Sequence, residues 1–154
     1  MNKKQNTINK KIIFSGIGLH TGEVSSMIVY PAPVNTGIIF KRTDLEKPIT
    51  IPAKVRYVVD TNRGTSIGFN DIKIYTVEHF LSALSGLGID NAVIEIDNIE
   101  PPIFDGSSKP FIDKILKCGI KEYSVSKDSI KVLEPIEYFD NKCKIKIVPY
   151  PEFK

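Results

Sequence analysis

A chain of 154 residues that is 42% hydrophobic and 25% charged can build the core of one ordinary domain, or of a domain and the opening of a second, and stands outside the composition of disordered chains. Its formal charge of +3 is scattered with no basic block, so the charge pattern gives no reason to expect a nucleic-acid partner. The apolar run IIF at residues 12–14 follows a polar amino terminus and is too short for a signal peptide or a membrane span, so we expect no transmembrane segment and a cytoplasmic location.

Residues 7–75 read as short strands. Runs rich in β-branched residues at 8–14, 24–30, 37–42, 49–60, 65–68 and 72–75 are separated by turn formers such as Gly16, Gly18, Gly22, Pro31, Pro33, Gly37, Pro48 and Gly64. The period then changes. Val77, Phe80, Leu81, Leu84 and Leu87 recur at helical spacing, with Thr76 as the predicted cap and Gly86 or Gly88 as the stop. NAVIEID at 91–97 alternates Ala92, Ile94 and Ile96 against Val93 and Glu95, the pattern of a strand with one buried face. After Pro101-Pro102 a second helix is predicted over 108–118, with Phe111, Ile112, Ile115 and Leu116 on its apolar face and Gly119 ending it.

The polar stretch 121–128 reads as a separator, and a strand pair at 129–139 and 143–148 follows, turning at Asp140-Asn141-Lys142. An isolated hairpin is marginally stable in water, so this pair is expected to find its cover elsewhere. Cys118 and Cys143 lack CxxC spacing and sit in apolar-patterned segments, which predicts buried free thiols. Strands, helix, strand and helix in this order predict an α+β fold: a mainly antiparallel sheet with a helix pair packed on one face, a layered sandwich.

Only two histidines are present. His79 follows Glu78 in the first turn of the predicted helix, where the helix dipole presents its positive end. An imidazole offers a ring nitrogen to zinc, and a neighbouring carboxylate can accept a proton from water beside the metal. Taken alone, the dipeptide is weak evidence, because a glutamate in a first turn is usually just the ordinary acidic start of a helix. A catalytic zinc holds three protein ligands and keeps one open position. His20, in the glycine-flanked GIGLHTG, is the other histidine available, and with no HExxH and no cysteine cluster these residues amount to half a site. GIGLHTG lies between two predicted strands, so it lacks the strand-to-helix setting of a phosphate-binding loop, and a tight hairpin with a structural His20 also accounts for it. In PPIFDGSSKPF, Asp105 to Ser108 precede a helix, where serine capping and anion binding on free amides both fit.

Taken together, GIGLHTG, YPAPVNTGIIFKRTDL at 30–45, TVEHFLSALSGLGIDN at 76–91 and PPIFDGSSKPF at 101–111 resemble, in order and spacing, the signature blocks of the zinc-dependent UDP-3-O-acyl-N-acetylglucosamine deacetylases, over residues 5 to about 123. The resemblance implies removal of the acetyl group from UDP-3-O-(3-hydroxyacyl)-N-acetylglucosamine, the committed step of lipid A synthesis in Gram-negative bacteria. It implies two similar α+β domains with Zn2+ held in the cleft between them. On the matching positions it makes His79 a zinc ligand and Glu78 the general base, with the metal activating water and stabilising the oxyanion at the amide carbonyl. It also puts Gly64 and Thr65, in DTNRGTSIG at 60–68, beside the substrate passage, and His20 near the substrate.

The family's HKxxD motif, which supplies two further zinc ligands, and a later assisting histidine do not occur in this sequence. The resemblance therefore implies a fragment, with an amino-terminal domain over 1–123 carrying Glu78 and His79, and the opening strands of a truncated second domain over 124–154. The implied partners are the UDP-linked acylated N-acetylglucosamine substrate and the missing carboxy-terminal domain, without which the isolated chain would be inactive. Two readings of other classes stay open: a non-catalytic α+β binding module akin to RNA-binding folds, disfavoured by the missing basic stripe, and an inactive remnant.

Overall fold

The computed structural model describes residues 3–151. In chain order its elements are β1 (Lys4–Ile8), β2 (Ile12–Ile17), β3 (Val24–Pro31), β4 (Ile38–Arg42), β5 (Ile49–Pro52), a 3-10 turn (Val55–Tyr57), β6 (Val58–Asp60), β7 (Ser66–Phe69), β8 (Ile72–Ile74), α1 (Glu78–Gly86), β9 (Ala92–Ile96), α2 (Lys109–Cys118), β10 (Ile120–Ser126), β11 (Ile136–Asp140) and β12 (Cys143–Ile147). The class is α+β with mostly antiparallel sheets and two helices packed together, as the order of elements led us to expect.

The principal sheet has the order β2-β3-β9-β4-β5, and all its pairs are antiparallel except β4 with β9. Register decides which face is apolar. Phe14 opposes Met27, Met27 opposes Ile96, and Phe40 lies between Ile94 and Ile51, so the period of two collects these side chains on one face. Helices α1 and α2 cover that face. Phe80 and Phe111 meet at 5.2 Å between ring centroids, and both pack edge-on against Phe14, at 6.0 and 5.2 Å. Phe14, Phe40, Phe80 and Phe111 are fully buried at the centre of one continuous core.

Several expectations need correction. The run 8–14 is two strands, because Asn9 to Lys11 interrupt it: Ile8 ends β1, which pairs with β10, and Ile12 begins β2 in the principal sheet. The run 49–60 is also divided. Ala53 and Lys54 follow Pro52 outside any strand, and the 3-10 turn precedes β6. The stretch 121–128, expected as a separator, carries β10 as far as Ser126, whose partner is Lys4. The Tyr123 hydroxyl fastens it by donating to the Ala32 carbonyl at 2.8 Å. Leu116 is 55% exposed rather than on the apolar face of α2. The cysteines are free, but Cys118 is half-buried and Cys143 exposed, so neither is the buried thiol expected.

At the end of α1, Gly88 takes φ of 68° and makes the turn, while Gly86 lies inside the helix. The β11–β12 hairpin forms about Asn141-Lys142 as predicted. All ten of its strand residues are exposed, which agrees with a pair that lacks its own cover.

Candidate active site

The site is built on the first turn of α1 and on the loops around it. Glu78 is the first residue of that helix, and His79 the second; their side chains are 37% and 30% exposed, so they stand at a surface rather than in the core. Phe80, the next residue, is buried and anchors the turn that carries them. The Thr65 amide donates to Glu78 Oε2 at 2.9 Å. Glu78 Oε1 stands 3.8 Å from His79 Nε2, too far for a hydrogen bond, and accepts none among the described residues. One carboxylate oxygen is thus fastened and the other open.

The close approach of the 60–68 segment to Glu78 depends on Gly64. A Cβ at this position would lie 3.2 Å from Glu78 Oε1, tighter than ordinary contact. Arg63, just before it, has φ of 58°, and Thr76, just before Val77 and α1, has φ of 52°. A β-branched residue in the left-handed region is strained, on the order of 1–3 kcal/mol, and persists only where its surroundings hold it. Thr76 is so held. Its hydroxyl donates to Glu100 Oε1 at 2.6 Å, and the Val77 amide beside it donates to the Thr65 carbonyl at 3.1 Å. Thr76 is therefore not the side-chain cap expected of it: Val77 is the N-cap, with no side-chain cap bond.

His20 and Gly64 line a common cavity of about 210 Å³ together with Asp60, Arg63, Lys73 and Thr76. Thr65 is turned toward Glu78 through its amide and is not part of that lining. The His20 side chain is exposed, and its backbone amide donates to the Glu100 carboxylate. In the loop before α2, Asp105 accepts from the Ser107 amide and hydroxyl, and Ser107 Oγ in turn accepts from the Lys109 amide; Ser108, the N-cap residue, makes no side-chain cap. A larger cavity of about 330 Å³ beside Gln5, Asn35, Asp90 and Lys127 contains none of the expected residues, and its polar groups bond one another.

Two carboxyls of the site have displaced acidities. Burial alone would raise that of Glu100, but hydrogen bonds from the Thr76 hydroxyl, the Thr21 and His20 amides and the Thr21 hydroxyl outweigh it and hold it below the usual carboxylate range. The Asn62 amide, donating to Asp60 at 2.9 Å, is the main cause of the lowered value of Asp60. Neither Glu100 nor the strained Thr76 was legible as a site residue in the sequence. The one signal for Glu100 is a lone carboxylate ahead of Pro101-Pro102, in a segment apolar enough to be buried.

Residues 5–154 match the family profile described as UDP-3-O-acyl N-acetylglycosamine deacetylase. The chain belongs to this family. Among curated members it is 46% identical over 151 residues to a UDP-3-O-acyl-N-acetylglucosamine deacetylase of Legionella pneumophila (strain Corby), covering 98% of this chain and 50% of that protein. It is 43% identical over 152 residues to the enzyme of the same name from Shewanella frigidimarina, covering 97% of this chain and 49% of the relative. It is also 46% identical over 147 residues to the bifunctional enzyme LpxC/FabZ of Chlorobaculum tepidum, covering 96% of this chain and 32% of that protein. The chain spans about half the length of the single-function relatives it matches.

Membership of this family raises the question of zinc. Among the described residues no group of three or more His, Cys, Asp or Glu side chains converges as a metal site. The donors that are present, one imidazole beside one carboxylate with an open oxygen, fit one corner of a zinc site and no more. No helix among the described residues is long and apolar enough to cross a membrane.

Proposed function

We propose that this chain is the part of a zinc-dependent deacetylase that carries the general base, Glu78, and one zinc ligand, His79, for hydrolysis of UDP-3-O-(3-hydroxyacyl)-N-acetylglucosamine. The observation that carries the reading is the tethered carboxylate: Glu78 Oε2 is fixed by the Thr65 amide at 2.9 Å while Oε1 stays open beside the His79 ring. Zinc, when bound, supplies Lewis acidity toward water and toward an amide carbonyl. His79 would hold it, and the other ligands come from the half of the relatives' length that this chain does not span.

The chain's own residues then divide the work. Glu78 Oε1 takes a proton from the attacking water, and the same carboxyl can return it to the leaving amine of the sugar, so that acetate and a free amino group result. The Thr65 amide keeps the carboxylate from rotating during both transfers. Gly64, His20 and the cavity they share receive part of the substrate, with the backbone of the 60–68 segment as its wall.

The test is to fuse the chain to the portion of the Legionella relative that lies beyond its match and to assay deacetylation of the UDP-linked acylated sugar. A folded fusion should turn over. Glu78→Gln and His79→Ala should each lower kcat by about 10²–10⁴-fold. A folded fusion whose turnover is indifferent to Glu78→Gln would sink the assignment.

A further inference from the structure

Glu100 is wholly buried, yet among the described residues it forms no ion pair with any Lys, Arg or His. A buried carboxylate without a counter-ion is tolerated only where hydrogen-bond donors surround it. Here they come from two distant stretches of chain. Oε1 accepts from the Thr76 hydroxyl at 2.6 Å and, more loosely, from the His20 amide at 3.3 Å. Oε2 accepts from the His20 amide at 3.0 Å, the Thr21 amide at 3.0 Å and the Thr21 hydroxyl at 3.1 Å. One carboxylate thus ties the loop of residues 18–22 to the residue that sets the direction of α1.

The glycine pattern of the loop has its explanation in the same contact. A Cβ on Gly18 would lie 2.5 Å from Glu100 Oε2 and 2.4 Å from Thr21 Oγ1, so only glycine lets the loop close over the carboxylate. The loop is closed on its other side by backbone bonds from Gly22 to Gly18 and from Gly18 to Glu23. On the far side of Glu100, Thr76 is held in its left-handed conformation two residues before Glu78. We propose that Glu100 is a positioning residue of this site, whose carboxylate clamps the 18–22 loop onto Thr76 and thereby fixes His20 in the wall of the cavity that Gly64 shares. The functional meaning of the clamp rests on the reading of Glu78 and His79 given above; the clamp itself does not.

Backbone hydrogen exchange of the 154-residue chain, read residue by residue by NMR, tests it. His20, exposed, and Thr21, half-buried, lie in a surface turn outside any strand, where unheld amides exchange near the intrinsic rate. Bonded to a buried carboxylate, they should exchange about 10–100-fold more slowly. Glu100→Leu, which leaves these donors without any acceptor, should abolish that protection, and the His20 ring resonances should move toward random-coil positions. The Thr65 amide, bonded to Glu78, should keep its protection in the same variant. Gly18→Ala attacks the clamp from the loop side and should reproduce the loss at His20 and Thr21, which keeps the test alive if Glu100→Leu does not fold. Intrinsic-rate exchange in the unaltered chain, or protection that survives in a folded variant, would overturn the proposal. A zinc titration followed at the His79 ring separates the two claims: a His79 that ignores zinc counts against the functional reading and leaves the exchange result to decide on Glu100.

Discussion

Phe80→Ala should loosen the turn that presents Glu78 and His79, and its cost can be worked from the packing. Phe80 is fully buried, with ring centroids 6.0 Å from Phe14, 6.3 Å from Phe40 and 5.2 Å from Phe111, all in edge-on arrangements. Truncating a buried phenylalanine to alanine costs about 3–5 kcal/mol, through lost transfer energy and the cavity left behind. Three aromatic contacts that vanish together put this site toward the upper part of that range, about 4 kcal/mol. With a urea m-value of about 2 kcal/mol/M, the unfolding midpoint should fall by about 2 M at unchanged m. Phe80→Leu keeps part of the volume but loses the same three ring contacts, so it should cost less than Phe80→Ala, about 1–3 kcal/mol. Urea titration by circular dichroism measures both. If Phe80→Ala cost less than about 1 kcal/mol at constant m, Phe80 would not anchor α1, and our account of how the Glu78-His79 turn is held would be wrong.

Three further outcomes follow from the same geometry. Gly64→Ala places a methyl 3.2 Å from Glu78 Oε1, so the carboxylate must move by a few tenths of an ångström; weakening of the Thr65 bond should cost about 0.5–1.5 kcal/mol and shift the Thr65 amide resonance, and an unmoved resonance would contradict this. Glu100 and Asp44 both sit below their ordinary values of 4.5 and 3.8, the first through its four donors in spite of burial, the second chiefly through the Arg42 side chain. Since the folded chain binds fewer protons at these groups than the unfolded one, their contribution is complete above pH 4.5 and disappears as pH falls through the lowered values; a urea midpoint that rises on acidification below pH 4.5 would contradict it. Removing the exposed β11–β12 hairpin, by ending the chain at Asp128, should leave the melting temperature within about 2 °C, since surface elements without buried contacts contribute within about 0.5 kcal/mol.

What the sequence disclosed was set by how local each signal is. The α1 pattern, the alternation of β9 and the turn at Asn141-Lys142 depend on neighbours a few residues apart, and all three are where their patterns put them. β10 was hidden because KEYSVS is polar; it is a strand by pairing with β1, more than a hundred residues upstream, and its own burial is slight. The break between β1 and β2 was missed for a related reason, since Ile8 and Ile12 serve different sheets and only their partners reveal it. In the candidate site, Glu78 and His79 are proposed from their place in a motif, and the fold adds the tether from Thr65. Glu100 escaped because a carboxylate in a loop ordinarily faces water. Its donors lie 80, 79 and 24 positions away, a tertiary arrangement that no local pattern announces.

The most direct test of the half-site is a zinc titration of the 154-residue chain beside its His79→Ala variant. A chain that supplies one ligand of a three-ligand site should bind zinc orders of magnitude more weakly than a complete site, and the variant should lose that binding. Tight one-to-one binding, or binding indifferent to His79→Ala, would mean that the metal is held by other residues of this chain and that the division of the site proposed above is wrong.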